Sequence, residues 1–145
     1  MILPVKKLRE GAVVPKRATN QSAGLDLCAC IDDPLVIEAG KTVVIPTGIA
    51  VALPENTVGL IYGRSGLGVK HGLAPANAVG VIDCDYRGEL LVGIHNHSDK
   101  NYTVAPSERI AQLVVSPVLF PSTVEVDELD ETVRGEGGFG SSGRV

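Results

Sequence analysis

Tryptophan is absent from this chain, and aromatic residues make up only 3% of it. Any core must therefore be built from aliphatic side chains. No apolar run approaches the ~20 residues of a membrane-spanning helix. The N-terminus lacks the basic, apolar, small-residue order of a signal peptide. Both absences lead to the expectation of a cytoplasmic protein, or the mature form of an imported one, without membrane partners. No basic excess is present either: 13 Lys and Arg against 17 Asp and Glu give a formal net charge of −4. A general nucleic-acid binder shows a basic stripe, so that class is set aside. A nucleotide ligand is not excluded, because a few placed cations suffice to hold one. Cysteine is scarce and odd in number, with Cys28, Cys30 and Cys84, which predicts free thiols. Cys28-Ala29-Cys30 has the form of half a metal site, but no second Cys or His pair sits at matching spacing.

What is present points to strands. The 145 residues suit one domain, and 44% of them are hydrophobic, mainly Val, Ile, Leu and Ala. Segments rich in β-branched residues recur between turn signals such as Asp33-Pro34, Ala39-Gly40, Pro54-Glu55-Asn56 and Ser98-Asp99. The pattern predicts strands over 3–8, 25–29, 35–37, 42–45, 49–53, 57–61, 79–82, 89–96, 102–104 and 110–117. Many short strands at this spacing predict an all-β sandwich or barrel. No window sustains a helical period; one short helix is predicted over 65–71. An acidic run, Glu125 to Glu131, reads as a solvated connector. It leads into a glycine-rich tail, Arg134 to Val145, which is neither helix nor central strand. The tail still carries an arginine, a phenylalanine and hydroxyls, and so reads as an arm able to close over a phosphate-bearing ligand.

Several clusters carry chemistry. Gly80 to Glu89 delivers Asp83 from an apolar strand end into a turn that finishes at Gly88. A carboxylate aimed by a scaffold suits a general base for water; an ordinary hairpin with Asp83 and Asp85 bonding backbone N–H groups is the plainer reading. Tyr86 is a turn aromatic or a flat wall for a sugar or base. Gly63-Arg64-Ser65-Gly66 places bare N–H groups, a guanidinium and a hydroxyl at a helix start, which suits either an anion or a simple cap. It is not a P-loop, because the Gly-Lys-Ser/Thr ending is missing. Asp26 stands between two leucines as a turn acid or as an anchor for metal or water. Arg109 and Gln112 are three apart on one strand, and strict alternation puts them on opposite faces. His95 and His97 share a face and read as surface histidines, since no third ligand is evident. His71 reads as a helix C-terminal cation.

In this order the clusters resemble the five motifs of the trimeric dUTP diphosphatase (dUTPase) family: Ala23-Gly24-Leu25-Asp26-Leu27, Gly63-Arg64-Ser65-Gly66, Gly80 to Glu89, Glu108 to Leu113, and Arg134 to Gly143. The resemblance spans nearly the whole chain. It implies a jelly-roll-like β-barrel over 1–133 with one short helix, and a flexible arm over 134–145 that closes an active site of a neighbouring subunit. It implies a homotrimer that hydrolyses dUTP to dUMP and diphosphate with Mg²⁺ on the triphosphate. Residue by residue, Asp83 would orient and deprotonate water, and Tyr86 would pack on deoxyribose. Asn77 and the backbone of Gly80, Val81 and Ile82 would read uracil. Arg64, Ser65, Gly66 and Gln112 would hold phosphates, and Asp26 would meet the metal through water. Arg134, Phe139, Gly140 and Ser141 would come from another subunit's arm, with Phe139 stacked on the base.

Two positions depart from the family pattern. Gly63 stands where proline or serine usually precedes Arg-Ser-Gly, and Ser107 replaces the glycine that usually opens the fourth motif. The serine weakens any claim that a positive φ is needed at that place. The competing activities on the same fold are dCTP deamination, a bifunctional deaminase–diphosphatase, and a non-catalytic signalling role. The deaminases lack the Asp-x-Asp-Tyr-Arg-Gly turn and the glycine-rich arm, and an idle module would have lost the aspartate or the arm.

Overall fold

The computed structural model describes residues 2–138. Eleven strands and one helix are present among them: β1 Val5–Lys7, β2 Leu25–Cys28, β3 Leu35–Ile37, β4 Thr42–Pro46, β5 Ile49–Val51, β6 Thr57–Tyr62, α1 Ser65–His71, β7 Leu73–Pro75, β8 Gly80–Ile82, β9 Leu91–Asn96, β10 Tyr102–Val104 and β11 Arg109–Pro117. All strand pairings are antiparallel. They form sheets in the orders β2-β11-β6-β8, β4-β9-β7, β1-β5 and β3-β10, which wrap as a jelly-roll-like barrel. Every strand expected from the β-branched pattern is there, with ends shifted by a few residues. The helix falls where it was expected. Lys70 and His71 occupy its last turn, and Gly72 caps it in the left-handed conformation.

One strand escaped the sequence pattern. β7 has three residues, ends in proline and follows the helix cap directly. Nothing local marks it; pairing with β9 makes it a strand. The expected hairpin around Asp83 is also corrected. β8 pairs with β6, whereas β9 pairs with β4 and β7, so the 83–90 segment crosses between sheets.

The core is aliphatic, as the scarcity of aromatics required. Leu27, Ile37, Ile45, Ile49, Leu90, Ile110 and Leu113 are fully enclosed. Burial at about 25 cal/mol per Å² of apolar surface is what draws these strands together. Two polar side chains, Asn96 and Thr47, are sealed inside with them. Asn96 donates to the carbonyls of Ile37 and Lys100 at 3.0 and 2.8 Å, and accepts from the N–H and hydroxyl of Ser98 at 3.0 and 2.7 Å. A buried amide satisfied on all sides ties the end of β9 to β3.

The turn between β4 and β5 is closely packed. Gly48 adopts φ +69, and a Cβ there would lie 2.7 Å from Cys30 Sγ and 2.8 Å from Ala12 Cβ. Gly40 has a similar φ of +70 but open space around it. In urea unfolding, Gly40→Ala is expected to cost about 1–2 kcal/mol, the strain of a left-handed residue alone. Gly48→Ala is expected to cost roughly 2–4 kcal/mol, because overpacking adds to that strain. Equal losses in the two variants would show that the contacts at Gly48 yield freely.

Candidate active site

The predicted site residues fall into two groups that lie apart. The first is assembled around Asp26 on β2. Its Oδ1 accepts from Arg64 Nε at 3.1 Å, and its Oδ2 accepts from an Arg109 guanidinium nitrogen, also at 3.1 Å. Gln112 stands opposite Asp26 in the β2–β11 register, and its amide donates to the Gly63 carbonyl at 2.9 Å. Gly24 has no room for a side chain, because a Cβ there would run into the Gln112 amide. Arg64 is the residue before α1; its extended backbone (φ −96, ψ 133) turns the chain so that Ser65 and Gly66 start the helix. Their N–H groups have no partner within the helix.

Arg109 joins this group against the expectation of opposite faces. The β2–β11 register shifts between Arg109 and Ala111. A bulge inserts one extra residue and inverts the alternation beyond it. Arg109 pairs with Cys28, and Gln112 with Asp26, so all four share one face. Two arginines against one carboxylate leave a single net positive charge, which suits a phosphate chain. Burial first, and then the Asp26 carboxylate, push the Cys28 thiol up; Arg109 and Arg64 oppose the shift. The thiol stays neutral and adds no negative charge. The three cysteines are free.

The turn before Arg109 is braced from outside the motifs. Tyr102 donates its hydroxyl to Glu108 Oε1 at 2.6 Å, and Glu108 Oε2 accepts the Ala105 N–H at 2.9 Å. Ser107 adopts φ +63 within this turn, so the left-handed conformation is kept despite the missing glycine. The same conformation occurs at Ala78, φ +61, in the turn that presents Asn77. Neither residue type announces it, so no sequence signal marked these turns.

The second group surrounds β8. Asn77 and Gly80 to Ile82 line a cleft of about 320 Å³ together with Pro75 and Gly93. Beside it, Val81, Ile82, Asp83, Tyr86, Glu89 and Leu91 line a further hollow of about 240 Å³. The Asp83 carbonyl accepts the Tyr86 N–H at 3.1 Å and closes the turn. Gly88 lies beside the phenol end of the Tyr86 ring, where a Cβ would collide with it.

β6 separates Arg64 of the first group from Asp83 of the second, which lie toward its opposite ends. In the β6–β8 register Ile61 faces Gly80 and Gly59 faces Ile82. Arg64 lies three residues beyond Ile61, and Asp83 lies three beyond Gly80 in the opposite direction. Six residues of strand rise, at about 3.3 Å each, put them on the order of 20 Å apart. The surroundings agree: Asp83 shares a hollow with Thr57 and Val58 at the start of β6, whereas Gln112 faces Tyr62 at its end. Arg134 joins neither group; its Nε donates to the Gly137 carbonyl at 2.8 Å. Residues 119–136 are exposed throughout, and the last backbone bond to the barrel is Val118 N–H to Asn56 at 3.0 Å. Phe139, Gly140 and Ser141 lie outside the described residues.

Among the described residues no three His, Cys, Asp or Glu side chains converge as a metal cage. His95 instead shares a 2.8 Å hydrogen bond with Thr42 and meets His97 edge-on. No helix among these residues is long and apolar enough to cross a membrane.

A jelly-roll barrel that presents an arginine-rich anion cluster and a strand-end aspartate defines the class of a nucleotide-phosphate hydrolase. The family model for dUTPase matches residues 10–143. The deoxyuridine 5'-triphosphate nucleotidohydrolase of Idiomarina loihiensis is 51% identical over 139 residues, 95% of this chain and 92% of the relative. That of Psychrobacter cryohalolentis is 53% identical over 133 residues, 90% and 86% of the two chains. The solved dUTPase of Staphylococcus bacteriophage 80alpha with dUPNHPP superposes with a TM-score of 0.89 at 34% identity, covering 98% of each chain. The chain belongs to the dUTPase family.

The Tyr102–Glu108 brace has a pH signature. Burial, then the hydrogen bond and charge of Glu108, push the Tyr102 phenol from its ordinary value of 10.0 up to about 12. The raised value favours the neutral phenol in the folded chain. Its contribution to stability is therefore full below about pH 10 and lost as pH rises through about 12. In ultraviolet titration Tyr102 is expected to ionise late, and Glu108→Gln to bring that step back toward the ordinary value. An unchanged titration in the variant would remove Glu108 as a cause.

Proposed function

We propose that this chain, a dUTP diphosphatase, works as a homotrimer whose active sites are each assembled from different subunits. The reaction hydrolyses dUTP to dUMP and diphosphate, which clears dUTP from the nucleotide pool and supplies dUMP for dTMP synthesis. The observation that carries the shared-site reading is the separation of Arg64 and Asp83 along β6. A triphosphate spans far less than that distance, so one chain cannot both grip it and activate the water. Two chains packed together can, one supplying the barrel end with Asp83 and the other the end with Arg64.

In this arrangement uracil enters the cleft at β8. Asn77 and the backbone of Gly80, Val81 and Ile82 read its edge. A wrong base leaves a polar group unpaired, at about 1–3 kcal/mol. Tyr86 forms the wall against the deoxyribose. Asp83 adjoins that wall, so the phosphorus nearest to it is the α-phosphorus. The carboxylate takes a proton from water as the new oxygen–phosphorus bond forms. The bond from the α-phosphorus to the bridging oxygen breaks in line, and diphosphate leaves. Arg64, Ser65, Gly66 and Gln112 of the adjacent subunit hold the phosphates, which is the positioning and charge neutralisation that phosphoryl chemistry needs.

The arm over 134–145 is placed over a site other than its own chain's. The exposure of 119–136 and the purely local bonding of Arg134 support this reading. Arg134 would add a phosphate contact and Phe139 would stack on the base, worth about 1–3 kcal/mol; Gly140 and Ser141 would close around the nucleotide. The barrel over 1–133 stays behind. The enzyme would act in the cytoplasm, beside the pool that holds its substrate.

Mg²⁺ fits the donors present. Each Asp26 oxygen carries one N–H and keeps a lone pair for a metal-bound water. Mg²⁺ characteristically retains waters and pairs one or two carboxylates with substrate phosphates. A solved dUTPase from phage phi11, 30% identical with a TM-score of 0.79 over 88% of this chain, is described with a structural Mg(II) ion. When bound, the ion supplies charge neutralisation on the triphosphate. The net positive charge around Asp26 repels a free cation. Calorimetry is therefore expected to show no saturable Mg²⁺ binding to the protein alone, and binding once a non-hydrolysable dUTP analogue is present. Tight binding without nucleotide would mean a resident metal site.

Asp83→Asn is expected to lower kcat by about a hundred- to ten-thousandfold, as loss of a general base does, while the analogue still binds. Arg64→Ala is expected to be nearly inactive through a different subunit's half of the site. Co-refolding the two inactive variants in equal amounts is expected to restore about a quarter of the sites, by random assembly. No recovery from verified mixed trimers would place Asp83 and Arg64 of one chain in the same site.

A further inference from the structure

Glu89 has no role in the chemistry above, yet it is held on three sides. Its Oε1 accepts the Gly48 N–H at 2.7 Å, and its Oε2 accepts from Arg9 at 2.8 Å. Its backbone carbonyl accepts the Tyr86 hydroxyl at 3.1 Å. The next residue, Leu90, is fully enclosed. The Leu90 N–H donates to the Ile49 carbonyl at 2.9 Å, and its carbonyl accepts the Thr47 hydroxyl at 2.6 Å. The phenol tip is thus tied to a point of backbone that the β4–β5 turn and Arg9 immobilise.

Little else holds the ring. Tyr86 is 43% exposed, so packing on all sides does not fix it. Gly88 offers bare backbone beside the phenol end of the ring, where a Cβ would collide with it. A wall that rejects a substrate for one extra hydroxyl must not recede. An apolar pocket by itself discriminates only modestly against an added hydroxyl, and a tether at the far end of the ring resists recession.

We propose that Glu89, backed by Arg9, is a positioning residue for sugar discrimination: it holds the Tyr86 ring where a 2'-hydroxyl would have to stand. The proposal rests on the reading of Tyr86 as the sugar wall. Glu89 needs no contact with substrate or water for this role. It acts through Tyr86, and it links the N-terminal segment at Arg9 to the selectivity of the site.

The test is kcat/KM for dUTP and for UTP, measured in the full-length protein for wild type, Arg9→Ala, Glu89→Ala, Tyr86→Phe, Tyr86→Ala and the Glu89→Ala/Tyr86→Phe double variant. Both values scale with the amount of folded enzyme, so a loss of stability alone leaves their ratio unchanged. The dUTP-to-UTP ratio is expected to fall about tenfold in Glu89→Ala, the worth of one hydrogen bond to a charged group. In Arg9→Ala it is expected to fall about twofold, because the guanidinium is half exposed and screened. The double variant is expected to fall no further than the larger single change, since Tyr86→Phe removes the tether and Glu89→Ala only loosens its anchor. A wild-type ratio in Glu89→Ala, or additive losses in the double variant, would overturn the proposal. If Tyr86→Ala abolishes discrimination while Glu89→Ala keeps it, the brace is wrong and the sugar wall stands. If Tyr86→Ala also keeps it, the sugar wall itself is wrong.

Discussion

The antiparallel register of β6 against β8 is the constraint on which the rest depends. With Ile61 set opposite Gly80, chain direction alone sends Arg64 and Asp83 to opposite ends of the sheet. No side-chain rotation spans that separation. That separation is the basis of the proposal that another copy of the chain completes the site. The exposed residues 119–136 lead the same way, since a segment unpartnered on its own barrel is free to lie on a neighbour's.

Around Asp26, the arrangement is set by charge and by one irregularity. Asp26 is shared by two arginines, which aims both guanidinium groups and leaves a net positive charge. The bulge at Arg109 makes that possible by turning its side chain onto the face of Asp26 and Gln112. Cys28 stands on the same face but stays protonated, so the balance of charge is kept. Around β8, backbone geometry matters more than charge. The turn from Asp83 to Glu89 crosses from one sheet to another, and Tyr86 lies beside Gly88 and is tied at its tip.

Much of this was legible in the chain. β-branched runs between Gly, Pro, Asn and Asp turns marked ten strands, because alternation and turn chemistry are local properties. The helix over 65–71 was legible from the Gly-Arg-Ser-Gly start and the Lys-His-Gly end. Asp26, Arg64, Gln112, Asp83 and Tyr86 stood out as chemistry-bearing residues. Three features were not legible. β7 exists only through pairing with β9, and its Leu-Ala-Pro sequence carries no strand signal of its own. The bulge inverts an alternation that a strict two-residue period predicts. Ser107 and Ala78 adopt left-handed backbone that their side chains disfavour, and surrounding hydrogen bonds hold them there.

The sequence by itself determined the aliphatic all-β character, the helix, the arm's glycine-rich chemistry and the identity of most reactive groups. Those follow from propensity and residue type, which act over a few neighbours. Only the tertiary structure decided which groups meet. Register, sheet exchange and the bulge are outcomes of long-range pairing, where each strand's face is chosen by the core it buries. That choice put Arg109 with Asp26, fastened Tyr86 to Glu89, and set Asp83 beyond the reach of its own chain's Arg64.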